Sequence, residues 1–68
     1  MVDGIGLIHN REAALKMANE DKSISPLMRD LIRLEVIDGL VMEELIQELH
    51  IDSSEIIKIC REINSLTN

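Results

Sequence analysis

The chain of 68 residues contains no phenylalanine, tryptophan or tyrosine, and a single cysteine, Cys60. Without aromatic rings it lacks the stacking platforms that proteins use on single-stranded nucleic acid. One cysteine cannot close an intrachain disulfide, which fits the cytoplasmic location that we expect. No apolar run approaches the ~18 residues of a membrane span, and residues 1–8 lack the basic start of a signal peptide. We therefore expect no association with membranes.

Groups that bind metals or perform catalysis are also scarce. His9, His50 and Cys60 are the soft metal ligands of the chain, and no pair among them has the spacing of a zinc site. Cys60 lies on an apolar helical stripe, where burial makes a thiol inert. Glu43 and Glu44 are placed to favour the positive end of a helix dipole rather than to act as an acid–base pair. We expect no metal, no cofactor and no enzymatic activity.

Apolar residues, in contrast, make up 46% of the chain, with isoleucine and leucine the most frequent. A chain of this length forms one small domain and buries only about 60% of its surface on folding. The aliphatic supply is large for so small a core. We therefore expect part of it at an interface, either in a homodimer or with another protein.

Helix signals divide the first half of the chain into an arm and two helices. Residues 1–9 contain two glycines and no clear period, and we predict a flexible or partner-dependent arm. Asn10 is suited to capping and begins a helix predicted over 10–20. Ser25 and Pro26 form a stronger start signal, a capping hydroxyl followed by proline at the first helical position. The helix that they open, over 26–38, is apolar around more than half of its circumference and is predicted to be central and buried.

The second half predicts two further helices separated by a short break. Apolar residues at i, i+3, i+4 and i+7 indicate a helix over 41–50. Asp52 begins the spacing of a capping box, and a second apolar stripe follows it over 53–65. These stripes consist of Met42, Leu45, Ile46 and Leu49, and of Ile56, Ile59, Cys60, Ile63 and Leu66. Alternation with a period of two never persists, so we predict one all-α domain of four helices over 10–68.

Two short helices joined by a three-residue break, after a longer helix, form a helix-turn-helix layout. The segment 40–61, LVMEELIQELHIDSSEIIKICR, resembles the helix-turn-helix of sigma-factor region 4 and of response-regulator output domains, which follow the pattern L-S-x-E-E-I-A-x-x-L-G-I-S-x-x-T-V-x-x-I. Residues 33–39 resemble the end of the helix behind that motif. The resemblance implies a helix-turn-helix core and a transcription regulator that places its last helix on DNA.

The sequence departs from this pattern at several positions. Ile46 replaces the small residue that lets the two helices approach, and His50 replaces the glycine of the turn. The resemblance would present the start of the last helix to the major groove, at Asp52, Ser53, Ser54, Ile57 and Lys58. An aspartate there would face phosphate, whereas direct readout uses mainly Arg, Lys, Asn and Gln.

Charge is divided unevenly along the chain. Residues 1–34 carry five basic and five acidic side chains, whereas 35–68 carry two basic and eight acidic ones, so the net charge of 7 − 13 = −6 falls on the second half. Non-specific DNA affinity depends on Lys and Arg at the phosphates. The segment that resembles a DNA-binding motif therefore has the wrong sign for that role, and we regard nucleic acid as disfavoured.

We predict an acidic regulatory protein that binds a basic protein surface through a helix-turn-helix-like scaffold. The partner would be a DNA-binding regulator, a polymerase subunit or a nuclease, as for phage and mobile-element antirepressors, anti-sigma proteins and inhibitors. The predicted contact residues are Ile46, Glu48, Asp52, Glu55, Ile57 and Lys58. The alternative is a dimeric, sequence-specific DNA-binding regulator that uses Ser53, Ser54, Lys58 and Arg61.

Overall fold

The computed structural model describes residues 7–68, which form four helices and no strand. The helices are α1 (Arg11–Glu20), α2 (Pro26–Ile32), α3 (Met42–Leu49) and α4 (Ser53–Leu66), and α2 continues directly into a π-helical turn, Arg33–Ile37. The predicted all-α class with four helices is confirmed. A helix-turn-helix arrangement of α3 and α4 stays a prediction.

Side chains just outside three of the helices satisfy the first free N–H groups. Asn10, Ser25 and Asp52 each accept a hydrogen bond from the backbone N–H three residues on, at 3.2, 3.1 and 3.0 Å. At α3 the direction is reversed, because the carboxylate of Glu44 accepts from the N–H of Val41 at 3.1 Å. These local contacts explain why the predicted helix starts agree closely with the observed ones.

Two residues in the left-handed region end α2 and α3. Gly39 has a φ of +70° and closes the π-helical turn, a conformation that glycine adopts at little cost. His50 has a φ of 58°, a conformation that costs a residue with a Cβ about 1–2 kcal/mol. Its N–H donates to the carbonyl of Ile46 at 2.9 Å. The turn after α3 thus takes the left-handed form without the glycine of the sequence pattern.

The core lies around α2, which packs against both α1 and α3, while α4 packs against α3. This confirms α2 as the central helix. The core side chains are aliphatic or sulfur-containing: Ile8, Ala14, Ala18, Met28, Leu31, Ile32, Val36, Leu45, Ile56, Ile59, Cys60 and Ile63.

The end of the central helix differs from the expected apolar stripe at two positions. Glu35 is only 4% exposed, whereas Ile37 is 63% exposed. Glu35 follows Leu31 by four residues and Met28 by seven, so it falls on the inward side of the helix. Ile37 follows Glu35 by two residues in the π-helical turn, so it lies on roughly the opposite, outer side of that turn. The side of the helix on which a residue lies therefore decides its burial here, so a glutamate is buried and an isoleucine is exposed.

Residues 7–9 correct the predicted arm, whose other residues, 1–6, lie outside the described part of the chain. Ile8 is 1% exposed and belongs to the core. The side chain of Asn64 donates to the carbonyl of Leu7 and accepts from the N–H of His9, both at 3.0 Å. A carboxylate oxygen of Glu35 accepts from the N–H of Leu7 at 3.2 Å. Contacts across the whole length of the sequence thus bind this segment to α2 and α4.

Two arginines join the helices through backbone carbonyls. Arg29 donates to the carbonyls of Ala18 and Asp21, at 3.1 and 3.2 Å, at the C-terminal end of α1. Arg11 donates to the carbonyl of Val36 at 2.9 Å, in the π-helical turn. Helix C-termini carry unpaired carbonyls and partial negative charge, so a guanidinium stabilises them. Arg29 therefore links α2 to the end of α1, and Arg11 links α1 to the π-helical turn that continues α2.

Replacing Ile8 with alanine tests the correction at residues 7–9. Because the side chain is fully enclosed, the free energy of unfolding should fall by about 2–5 kcal/mol. Urea denaturation followed by far-UV circular dichroism measures it. Ile57→Ala is the matched control and should change the free energy by no more than about 0.5 kcal/mol, since that side chain is 40% exposed. Equal effects of the two substitutions would contradict the packing of residues 7–9.

Candidate protein-binding face

Two shallow clefts lie between α2 and the turn that joins α3 to α4. The first, the Leu27 cleft, is lined by Leu27, Ile51, Asp52 and Glu55 and has a volume of about 390 Å³. Leu27 and Ile51 are half-buried and pack against the core, so they form an apolar floor. Asp52 and Glu55 are exposed at its rim. The cleft combines an aliphatic contact surface with two carboxylates.

The second, the Leu34 cleft, repeats this composition further along α2. Asp30, Arg33, Leu34, Glu48 and Leu49 line its volume of about 340 Å³. The two leucines are half-buried, whereas the acids and the arginine are exposed. On α2, the residues that line both clefts recur with the spacing of one helix face. We refer to the two clefts together as the acidic face.

Three of the predicted contact residues line the acidic face, namely Glu48, Asp52 and Glu55. The others do not line its clefts. Ile46 is half-buried against the core, and Lys58 is exposed on α4. Ile57 follows Glu55 by two residues, about 200° round α4, and so lies on the opposite side of that helix. The predicted patch around Ile46 and Ile57 therefore does not share one surface with the carboxylates.

Sequence reasoning missed the contribution of α2 to the acidic face. The sequence predicts a buried helix over 26–38 and no binding role for it, although the i, i+3, i+7 spacing of Leu27, Asp30 and Leu34 places them on one edge of that helix. This periodic signal was available in the sequence. Tertiary packing decides which edge of the helix faces the α3–α4 turn, and no local sequence pattern indicates that edge.

The four residues of the DNA-binding alternative are exposed along α4: Ser53, Ser54, Lys58 and Arg61. Their surroundings are acidic at the start of the helix. The hydroxyl of Ser54 donates to the carboxylate of Asp52 at 2.9 Å and is committed to the cap. Hydrogen bonds from the N–H of Glu55 and from Ser54 lower the pKa of Asp52, so it is ionised at neutral pH. A fixed negative charge therefore stands where this helix would meet phosphate.

The surface charge of the second half follows from burial as well as from composition. Of its eight acids, Glu35 alone is buried, and the other seven are exposed beside two exposed cations, Lys58 and Arg61. The seven exposed acids of the second half are therefore left with little opposing charge.

A third cleft, of about 480 Å³, lies between α1 and the end of α4. Ala13, Met17 and Leu66 supply its apolar lining, and Lys16 lies there near Glu20 and Asp21. Its mixed charge gives no preference for a partner of either sign. We therefore place the candidate site at the acidic face.

Glu35 and Cys60 form a buried pair in the core. One carboxylate oxygen of Glu35 binds the N–H of Leu7, and the other, also buried, has no hydrogen-bond donor within residues 7–68. Burial, with a smaller contribution from the negative charge of Glu35, raises the pKa of the Cys60 thiol to about 11. The thiol is therefore protonated at neutral pH, as expected for an inert core cysteine.

The described residues contain no group of three His, Cys, Asp or Glu side chains that could hold a metal ion. Within 7–68, no helix is both long and apolar enough to cross a membrane. Comparisons with protein-family models, curated proteins and solved structures give no match. The functional argument therefore depends on the geometry and charge of the acidic face.

Asp52 provides a test of the cap and a tool for the binding face. Asp52→Ala should lower the urea midpoint, because the N–H of Glu55 loses its acceptor. Asp52→Asn should keep most of the stability that the cap provides, since asparagine also caps helices. The hydrogen bonds from Glu55 and Ser54 lower the folded-state pKa of Asp52 from its ordinary value of 3.8. The ionised carboxylate therefore stabilises the folded state above pH 3.8, and this stabilisation is lost as the pH falls through the folded-state pKa. Equal midpoints for the alanine variant and the wild type would contradict the cap.

The raised pKa of Cys60 predicts an alkaline loss of stability. Below pH 9 the thiol is protonated in both states; between pH 9 and about 11 only the unfolded chain ionises, so the free energy of unfolding falls. Urea titrations at pH 8 and pH 10.5 of the wild type and of Cys60→Ala measure this fall. Lysine titration is common to both proteins, and the variant should lose less stability. An equal loss in both would contradict burial of the thiol.

Proposed function

We propose that the protein is a small, non-enzymatic regulatory module that binds a basic surface of another protein through its acidic face. One observation carries the proposal: Asp30, Glu48, Asp52 and Glu55 surround two apolar clefts that contain a single cation, Arg33. Apolar floors with charged rims are typical of protein-binding surfaces. Carboxylates of one sign select a partner rich in Lys and Arg and speed its association.

A nucleic-acid-binding protein is the partner that this chemistry suits best. Its Lys and Arg side chains are arranged to meet phosphates, and carboxylates offer them charge-assisted hydrogen bonds of the same kind. Occupation of that surface would compete with DNA or RNA. The proposed mechanism is therefore that of an antirepressor, anti-sigma protein or nuclease inhibitor, of the kind found in phages and mobile elements. Ile57, on the far side of α4, is a separate apolar contact for a partner or for a second copy.

The second candidate is a dimeric DNA-binding regulator. It is favoured by the exposure of Ser53, Ser54, Lys58 and Arg61 along α4, and by the left-handed turn at His50. The ionised Asp52 at the start of that helix counts against it. A mobility shift whose strength falls steeply with salt would support this candidate over the first.

Charge-neutral variants of the acidic face test the proposal. The triple variant Glu48→Gln, Asp52→Asn, Glu55→Gln removes three charges and keeps the cap of α4. The control Glu12→Gln, Glu20→Gln, Glu43→Gln removes three exposed charges elsewhere. Each protein is used to capture binders from nuclease-treated extract of the source cells, with quantification by mass spectrometry. Exposed charge pairs contribute about 0.2–1 kcal/mol each, so the loss of three should weaken binding of a basic nucleic-acid-binding protein by about 3- to 150-fold, and the face variant should retain correspondingly less of it.

The control must behave like the wild type for the result to support the acidic face. If the three proteins capture the same binders in the same amounts, the proposed function is wrong. If the extract yields no protein binder and a DNA duplex binds the wild type in a separate mobility-shift assay, with a steep dependence on salt, the DNA-binding candidate replaces it.

A further inference from the structure

We propose that the segment that occupies the acidic face is a basic amphipathic helix with two aliphatic anchors seven residues apart. This inference rests on the proposed function, since it names the partner element that fits the same clefts. It commits to a helix of another protein, not to a second copy of this chain. Two copies would bring the carboxylates of one acidic face against those of the other, and each chain carries a net charge of −6.

The spacing of the clefts selects a helix. Leu27 and Leu34 each form part of one cleft floor and are seven residues apart, with regular α-helix as far as Ile32. At about 1.5 Å per residue, the two leucines are roughly 10 Å apart along α2 and the π-helical turn that continues it. Side chains at i and i+7 of a partner helix repeat the same distance on one face. Along a β-strand, side chains on one face recur at about 6.6 and 13 Å, and neither value matches.

The floors of the clefts select the anchors. Each floor pairs a leucine of α2 with an aliphatic residue of the turn region, Leu27 with Ile51 and Leu34 with Leu49. All four are half-buried and already pack against the core, so they leave shallow depressions rather than deep pockets. Leucine or isoleucine anchors extend such a surface, and burial of one contributes about 1.5–3 kcal/mol.

The rims select the charge between and beside the anchors. Asp52 and Glu55 flank the first cleft, and Asp30 and Glu48 flank the second together with one cation, Arg33, so acids outnumber bases at both rims. Lysine or arginine at positions next to the anchors can therefore pair with a carboxylate at either cleft. A single helix presents the aliphatic anchors and the neighbouring basic residues together only if each set recurs with the period of the helix. Such a helix is amphipathic, and this is the property that we infer for the partner.

Designed peptides test the inference with the folded protein as it is. The first is an 18-residue amidated helical peptide with leucines at i and i+7, lysines on the neighbouring positions and one terminal tryptophan. The second has the same composition, with the second leucine moved to i+5, about 140° round the helix from the first. The protein has no aromatic residue, so tryptophan fluorescence reports the peptide without background. At low salt, the i, i+7 peptide should bind at least about tenfold tighter, the equivalent of one anchor.

Amide chemical-shift mapping on the wild-type protein locates the contact without a variant. Shifts should concentrate at residues 27–34 and 48–55. If both peptides bind with equal affinity, the inferred i, i+7 spacing of the anchors is wrong. The proposed function still stands in that case if binding of both peptides is weakened by the variant Glu48→Gln, Asp52→Asn, Glu55→Gln. Shifts elsewhere, or no binding of either peptide, would also overturn the inference. The extract capture decides the proposed function independently.

Discussion

The structure depends on how the carbonyl groups at the ends of its first two helices are satisfied. Arg29 binds two of them at the end of α1, and Arg11 binds one in the π-helical turn that follows α2. A chain without aromatic residues has only small aliphatic contacts with which to orient short helices. Directional guanidinium bonds supply the orientation that such a core lacks. The central helix is thereby held in the position from which its outer edge meets the α3–α4 turn.

The surface of the second half takes its character from its unbalanced charge. Seven exposed acids there are accompanied by two exposed cations, Lys58 and Arg61. Where α2 approaches the turn, Glu48, Asp52 and Glu55 stand around half-buried leucine and isoleucine side chains. A segment that resembles a DNA-binding motif in sequence thus carries, at the proposed acidic face, the charge opposite to that of a DNA-binding surface. The resemblance of a sequence to a fold and the function of that fold are separate questions here.

Local signals made the helices predictable, and long-range contacts account for what sequence reasoning missed. The caps at Asn10, Ser25 and Asp52 act within three residues, so their effect is visible in the sequence. Residues 7–9 are held by Glu35 and by Asn64, which is more than fifty positions away, and no local pattern indicates those partners. Three of the nine residues that line the acidic face, Glu48, Asp52 and Glu55, are among the contacts predicted from the sequence. The α2 side required the tertiary structure, since helical periodicity places a residue on an edge without showing what that edge faces.

The central claim is that the face around Glu48, Asp52 and Glu55 attracts cations rather than phosphates. Paramagnetic relaxation of amide protons by a cationic and by an anionic nitroxide, compared residue by residue, measures the local electrostatic potential without any knowledge of the partner. The account predicts that the cationic probe broadens the amides of 48–57 more than the anionic probe does, and that added salt reduces the difference. Stronger broadening of these amides by the anionic probe would contradict it.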